Sequence, residues 1–173
     1  DANETTVAWK MALENTHTPT GLILSRQNIK DLLAKESRYE EASQAQKGAY
    51  IVQDDANYDV ILLASGSEVS TLVEGATLLR ADGVKVRVVS VPSEGLFRAQ
   101  SADYQNEVLP KGKKKFGLTA GLPVTLEGLV GADGEIWGMK SFGFSAPYKT
   151  LDEQLGYTGK NVYEQVKKML QLN

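Results

Sequence analysis

The stretch Asp59-Val60-Ile61-Leu62-Leu63-Ala64-Ser65-Gly66-Ser67-Glu68-Val69 decides the fold. Its core, residues 60–64, is apolar without interruption. Such a run is the pattern of a strand covered on both faces, because polar alternation disappears when neither face meets water. Ser65 and Glu68 then stand three apart, the spacing of a capping box that opens a helix. From there Val69, Leu72, Val73, Ala76 and Leu79 recur along one helical face, and Asp82-Gly83 supplies a stop. Residues 85–91 return to strand character, with Val86 and Val88 flanking Arg87, and Pro92 ends the run. Strand, helix, strand within about thirty residues is a βαβ unit, whose crossover is expected to be right-handed.

Working outward, residues 49–53 read as a short strand and residues 54–58 as a turn. Downstream, residues 93–100 and 102–109 read as short helices, and 115–119 as another strand. Asp133-Gly134 lies between Leu129-Val130 and Ile136-Trp137, a two-residue hairpin signal. A helix from about Gly159 closes the chain, burying Val162, Val166, Met169 and Leu170. The elements together imply an α/β fold of three αβα layers, built on a mostly parallel mixed sheet.

The first part of the chain has a different character. Residues 1–15 read as a helix, with Asp1 and Glu4 at capping-box spacing and Val7 and Met11 four apart. Gly21-Leu22-Ile23-Leu24-Ser25 has the pattern of a buried strand. Residues 28–48 contain many Lys, Glu, Ser, Gln and Ala with little periodicity, as a linker does. The expected organisation is a remnant of a preceding domain over residues 1–27, a linker over 28–47, and a domain with its own core over 48–173. Residues 1–27 are expected either to lie over that domain or to be poorly ordered.

Composition narrows the function. A net charge of -3 and a pI near 5.3 give no reason to expect nucleic acid or an anionic membrane as a partner. The sequence holds no cysteine, which excludes disulfides, thiolate catalysis and Cys-based zinc sites. That fits a reducing cytosol, and a cytoplasmic location is the expectation. No stretch approaches the roughly 20 apolar residues of a membrane span. The chain opens on Asp1, at the start of a helix, so an upstream segment is expected.

Few residues offer chemistry. The Ser65-Gly66-Ser67-Glu68 turn presents backbone N–H groups at a helix start, where a phosphate would bind. It has one glycine where the dinucleotide fingerprint needs three, and Glu68 would repel a phosphate. A self-capped strand-to-helix turn is the better reading. His17, the one histidine, lies in a Thr-rich turn and reads as a solvated loop residue. Lys111, Lys113, Lys114 and Lys115 have Phe116 alone as an aromatic neighbour and read as a solvated loop. Arg26 directly follows the expected strand at 21–25, so its guanidinium could grip phosphate or carboxylate in two-pronged fashion. From chemistry alone a surface arginine is still the favoured reading. Phe142-Gly143-Phe144-Ser145-Ala146-Pro147 contains no acid, base or activated nucleophile and reads as a tight turn against the core. Nothing in residues 48–173 gathers a catalytic set.

Several segments, taken in order, resemble transketolase. Asp1-Ala2-Asn3-Glu4 with Trp9 is similar to the family's helix after an Arg-Pro-Ala-Asp-Ala-Asn-Glu run. Pro19-Thr20-Gly21-Leu22-Ile23-Leu24-Ser25-Arg26-Gln27 resembles the strand and Ser-Arg-Gln ending of the family's pyrimidine-binding domain. The segment from Asp59 to Val69 resembles the opening of its C-terminal domain, and Val91-Pro92-Ser93 with Leu96-Phe97 follows. Phe142-Gly143-Phe144-Ser145-Ala146-Pro147 and Gly156-Tyr157-Thr158 complete the series.

The resemblance implies the C-terminal portion of an enzyme that moves a two-carbon ketol unit between sugar phosphates in the pentose phosphate pathway. It implies thiamine diphosphate and Mg2+ (or Ca2+) in the full-length enzyme, none held by this portion, and a homodimer to which the C-terminal domain contributes support. It implies that Arg26 contacts the substrate phosphate, and that residues 1–27 end the pyrimidine-binding domain. Lys140-Ser141, Glu94-Gly95 and Thr119-Ala120-Gly121 depart from the family pattern. Two other readings stay open: a stand-alone interaction or regulatory module of the same fold, and the equivalent tail of another thiamine diphosphate enzyme. The pairing of Ser-Arg-Gln with Phe-Gly-x-Ser-Ala-Pro favours transketolase.

Overall fold

A computed structural model describes residues 1–34 and 36–172. The first helix, α1 (Ala2–Glu14), starts at Asp1, whose Oδ1 accepts the Glu4 N–H at 2.9 Å. Only half of the capping box forms. Glu4 turns away from the helix start, and its Oε1 accepts from the Tyr50 hydroxyl at 2.9 Å and the Ser90 hydroxyl at 2.6 Å.

The expected linker folds over its second half, as α2 (Arg38–Ala42) and a 3-10 turn over Ser43–Lys47. Their buried Ala42 and Ala45 pack with Val7 of α1 and with Tyr50. Residues 1–14 therefore lie over the following domain and share a small core with it.

Residues 21–25 form no strand, against the sequence expectation. Ile23 is 101% exposed and Leu24 is 54% exposed. A strand needs a neighbour to take its backbone N–H and C=O groups. No other described segment pairs with this one.

The sheet contains β1 (Tyr50–Asp54), β2 (Val60–Ala64), β3 (Val86–Ser90), β4 (Lys114–Leu118) and β5 (Glu135–Trp137), in the order β1-β3-β2-β4-β5. β1 runs antiparallel to β3 and the other pairs are parallel, which gives the mixed, mostly parallel sheet expected. Every residue of β2 is buried. Side chains alternate across a strand with period two. Val60, Leu62 and Ala64 accordingly join one core, with Leu72, Ala76 and Leu79 of α3 (Glu68–Ala81). Ile61 and Leu63 join the opposite core, with Phe97 of α4 (Glu94–Arg98) and Val108 of α5 (Ala102–Val108).

The second core also explains a correction. Leu126, Leu129 and Val130 bury at helical spacing in and just before α6 (Glu127–Val130). Asp133-Gly134 thus joins a helix to β5, a parallel strand, and makes no hairpin. Helical apolar spacing overrides a two-residue turn signal when the flanking residue runs are this short. Lys115 is corrected too. It sits in β4, 8% exposed, with Nζ donating to the Lys113 carbonyl at 3.4 Å. A 3-10 turn over Pro123–Thr125 precedes α6, and two further α-helices follow β5: α7 (Tyr148–Leu155), not expected from sequence, and α8 (Gly159–Leu170). α8 buries Val162, Val166 and Met169 as expected, while Leu170, also expected inside, is half-buried; the helix crosses α3 at Gly75, where an added Cβ would come within 2.6 Å of Val162.

Gly48 closes the 3-10 turn at φ +85°, and a Cβ there would collide with the backbone of Phe97 and Ser93. Gly83 has φ +81° but faces open space. Gly83→Ala should therefore cost about 1–2 kcal/mol, the penalty of left-handed backbone alone. Gly48→Ala should cost about 3 kcal/mol or more, because steric overlap adds to the same penalty. Equilibrium urea unfolding of the two variants checks this, and equal midpoints would count against the close approach at Gly48.

Candidate functional site

Parallel strands that share a direction also share an end, and the loops leaving that end gather in one place. Here Ser65 and Gly66 follow β2, Pro92 and Ser93 follow β3, Gly121 and Leu122 follow β4, and Met139 follows β5. These loops border one cleft of about 1280 Å³, at the carboxyl ends of the strands, where open α/β folds bind ligands. Residues 20–25 and Phe142, Gly143 and Phe144 form other parts of its wall.

The turn over 65–68 is built otherwise than expected. Gly66 takes a left-handed conformation at φ +65°, and α3 begins at Glu68 with Ser67 as N-cap. No side-chain capping bond forms. Ser67 Oγ donates to Glu68 Oε1 at 3.0 Å. A glycine one residue into the turn lets the chain reverse in place of the serine cap. Ser65 is left exposed.

Glu68 belongs to an acidic corner of the cleft. Burial pushes its carboxyl above the usual carboxylate range, and Asp152 of α7 adds to the effect. Asp152 is itself raised by burial. The Tyr157 phenol is pushed up to about 12 by burial and by both carboxylates, and its O–H donates to the Thr119 carbonyl at 2.9 Å. The one hydroxyl that meets a carboxylate in this corner is Ser67, on Glu68, and among the described residues no histidine or lysine stands beside them. Among the described residues no group of three or more His, Cys, Asp or Glu side chains is placed to hold a metal ion.

The residues singled out from sequence do not converge. Arg26 is exposed and has no ion pair among the described residues, while its neighbours Ser25 and Gln27 line the cleft. His17 is exposed in the bend after α1, where its N–H donates to Asn15 Oδ1 at 3.2 Å. The lysines lie at the start of β4. Lys113 Nζ donates to the Tyr58 carbonyl at 2.9 Å and Lys114 Nζ to the Met169 carbonyl at 3.4 Å. Phe142 and Phe144 are 97% and 63% exposed, so residues 142–147 face outward and do not pack on the core. The Glu68–Asp152–Tyr157 corner went unseen in the sequence, where Glu68 was visible as a helix-start residue alone.

The raised Glu68 carboxyl makes a pH prediction. Its stabilising contribution is fully present below the unfolded pKa and is lost as pH rises through the higher folded value. Glu68→Gln should therefore match the parent chain near pH 4 and show a higher urea midpoint than the parent at pH 7. A constant difference between the two proteins across that range would remove burial of Glu68 as the cause.

Comparison with known proteins gives the family. Residues 48–158 match the model of the transketolase-like TK C-terminal domain. A transketolase of Staphylococcus epidermidis is 40% identical over 98% of this chain, which spans 26% of that relative's length. The transketolase structure from Leishmania mexicana superposes with a TM-score of 0.88 at 36% identity, covering 99% of this chain and 24% of the other. A Pichia stipitis transketolase solved with sedoheptulose 7-phosphate gives the same TM-score at 33% identity, over 99% of this chain and 24% of its own. The sheet order, the two covered faces and these matches agree: the chain belongs to the transketolase C-terminal domain family.

Proposed function

We propose that this chain is the C-terminal portion of a transketolase and that the whole protein transfers a two-carbon ketol unit between sugar phosphates. Identity of 40% sustained over 98% of the chain carries the reading. The solved relative with a bound seven-carbon sugar phosphate supports that substrate class. The proposed whole protein is a cytoplasmic homodimer of the pentose phosphate pathway, in which residues 48–173 give structural support.

Thiamine diphosphate and Mg2+ or Ca2+ would supply the carbanion chemistry in the full-length protein. The residues of this portion do not fit that group. Among the described residues there is no metal-ligating cluster, and the cleft is lined by Glu68 and Asp152 with no lysine or arginine to take a diphosphate. The residues that hold it lie outside this chain on the proposed reading, and no step of the reaction is assigned to residues 48–173.

Arg26 is the residue proposed to touch substrate. It has no ion pair among the described residues and stands beside a cleft lined by carboxyl side chains and by no lysine or arginine. A phosphate would be drawn to Arg26, away from Glu68, and the planar guanidinium can take two of its oxygens. No strand holds the segment that carries it, so on this reading the adjoining part of the longer protein completes its setting.

Two measurements test the reading. In a transketolase-length protein carrying this segment, Arg26→Ala should weaken binding of phosphorylated donors by about 1.5–3 kcal/mol, the value of a charge-assisted hydrogen bond. An unchanged Michaelis constant would take Arg26 out of the site. Calorimetry of residues 1–173 with thiamine diphosphate and Mg2+ should show no tight binding, and a submicromolar complex would overturn the division of roles.

A further inference from the structure

The side chain of Asp1 is fully buried and ties together three parts of the chain. Its Oδ1 accepts the Glu4 N–H, while Oδ2 accepts the Leu32 N–H at 3.1 Å and Arg38 Nε at 2.5 Å. The next backbone N–H, from Ala2, donates to Asp31 Oδ1 at 3.0 Å. The end of the irregular segment that carries Arg26 is thereby fastened to the start of α1.

Arg38 completes the clamp. Its side chain is 8% exposed, and Nη2 donates to the Tyr50 hydroxyl at 2.6 Å. That hydroxyl donates onward to Glu4, which also accepts from Ser90 at the end of β3. The pair is thus anchored to the sheet. Arg38 Nη1 is buried without a partner among the described residues, which marks the side chain as held by its neighbours more than by its own full satisfaction.

The other end of the same segment is fastened as well. Asn15, just past α1, donates from Nδ2 to Thr18 Oγ1 at 2.9 Å and to Thr20 Oγ1 at 3.1 Å. Helix α1, with 13 residues, acts as a strut about 20 Å long between the two fastenings. The segment 20–32 runs back along it with Arg26 near its middle and no strand pairing of its own. A span fixed at both ends loses less freedom when a ligand orders it.

We propose that the Asp1–Arg38 pair is a positioning device for Arg26, holding one end of segment 20–32 so that the guanidinium stands beside the cleft. This rests on the reading of Arg26 as the phosphate-contacting residue. Neither Asp1 nor Arg38 touches substrate; each acts through the path of the backbone. Packing of α1 on the sheet would need the Arg38–Tyr50–Glu4 bonds alone. The bonds from Leu32 N–H and to Asp31 serve the segment.

The test pairs activity with local order. Asp1→Asn with Arg38→Met removes both charges together, so neither is left buried alone. In a transketolase-length protein this double variant should raise the Michaelis constant for a phosphorylated ketose about tenfold, the scale of a misplaced contact group. The constant for an unphosphorylated ketol donor should stay put, and Arg38→Lys alone, which keeps a cation on Asp1, should retain most of the parent's affinity. Hydrogen exchange on the 173-residue chain should show faster exchange at Leu32 and across residues 20–32, with α8 unchanged. Equal rises for both donors, or faster exchange everywhere, would mean a general loss of stability and would overturn the proposal. An unaffected Michaelis constant, where Arg26→Ala still raises it, would sink the positioning role and leave Arg26 in place. If Arg26→Ala itself has no effect, the phosphate reading falls first and the positioning proposal with it.

Discussion

The structure depends on five residues that have no access to water. Val60, Ile61, Leu62, Leu63 and Ala64 are each 0% exposed. A strand in that condition must have a neighbour on each edge and a layer on each face, or its backbone groups and side chains go unmatched. β3 and β4 take the two edges, both parallel to it. Period-two alternation sends Leu62 toward α3 and α8 and Leu63 toward α4, α5 and α6. At roughly 1.5–3 kcal/mol for each fully buried large aliphatic side chain, this strand alone commits the chain to three layers. Parallel neighbours also put their outgoing loops at the same end, so the cleft follows from the same constraint.

What the sequence made legible was whatever that strand and its local neighbours encode. The β2–α3–β3 unit and α8 could be read because their apolar spacing runs over five to fourteen residues, long enough to separate the two periods. The misreadings share one cause: the contacts that decide each segment lie outside it. Residues 21–25 have the composition of a buried strand, yet composition cannot supply a ladder. Asp133-Gly134 has turn chemistry, but the Leu126, Leu129 and Val130 face beside it had already chosen a helix. Residues 38–47 look like a linker because, apart from Tyr39, their apolar content is alanine. Ala42 and Ala45 bury completely or nearly so only because Val7 and Tyr50 come to meet them.

The site was legible in a different proportion. Arg26 could be singled out through a resemblance, and nothing local in its chemistry distinguishes it from any surface arginine. The acidic corner could not be found at all. Glu68 and Asp152 are 84 positions apart (152 − 68), and Tyr157 reaches them through a loop after α7. A helix start is ordinarily where an anion gathers. Here the start of α3 carries its own carboxylate, and burial of that group removes the water that would screen it from another anion. The cleft therefore carries carboxyl groups inside it, and Arg26, without an ion pair among the described residues, stands beside it.

The clamp at Asp1 and the exposure of Ile23 and Leu24 are two aspects of one arrangement. Polar groups at the ends of segment 20–32 are bonded to the two ends of α1. Its apolar middle is turned out, with Ile23 101% exposed and Phe142 across the same cleft 97% exposed. Isolated surface leucines are ordinary, but apolar side chains gathered along one cleft are the mark of a surface that meets something else. A segment fastened at its ends and bare in its middle can be covered without being moved. On the proposed reading, covering Ile23 and Leu24 would add apolar burial while the clamp keeps Arg26 in register, so affinity for the neighbouring part and placement of the cation come from different bonds.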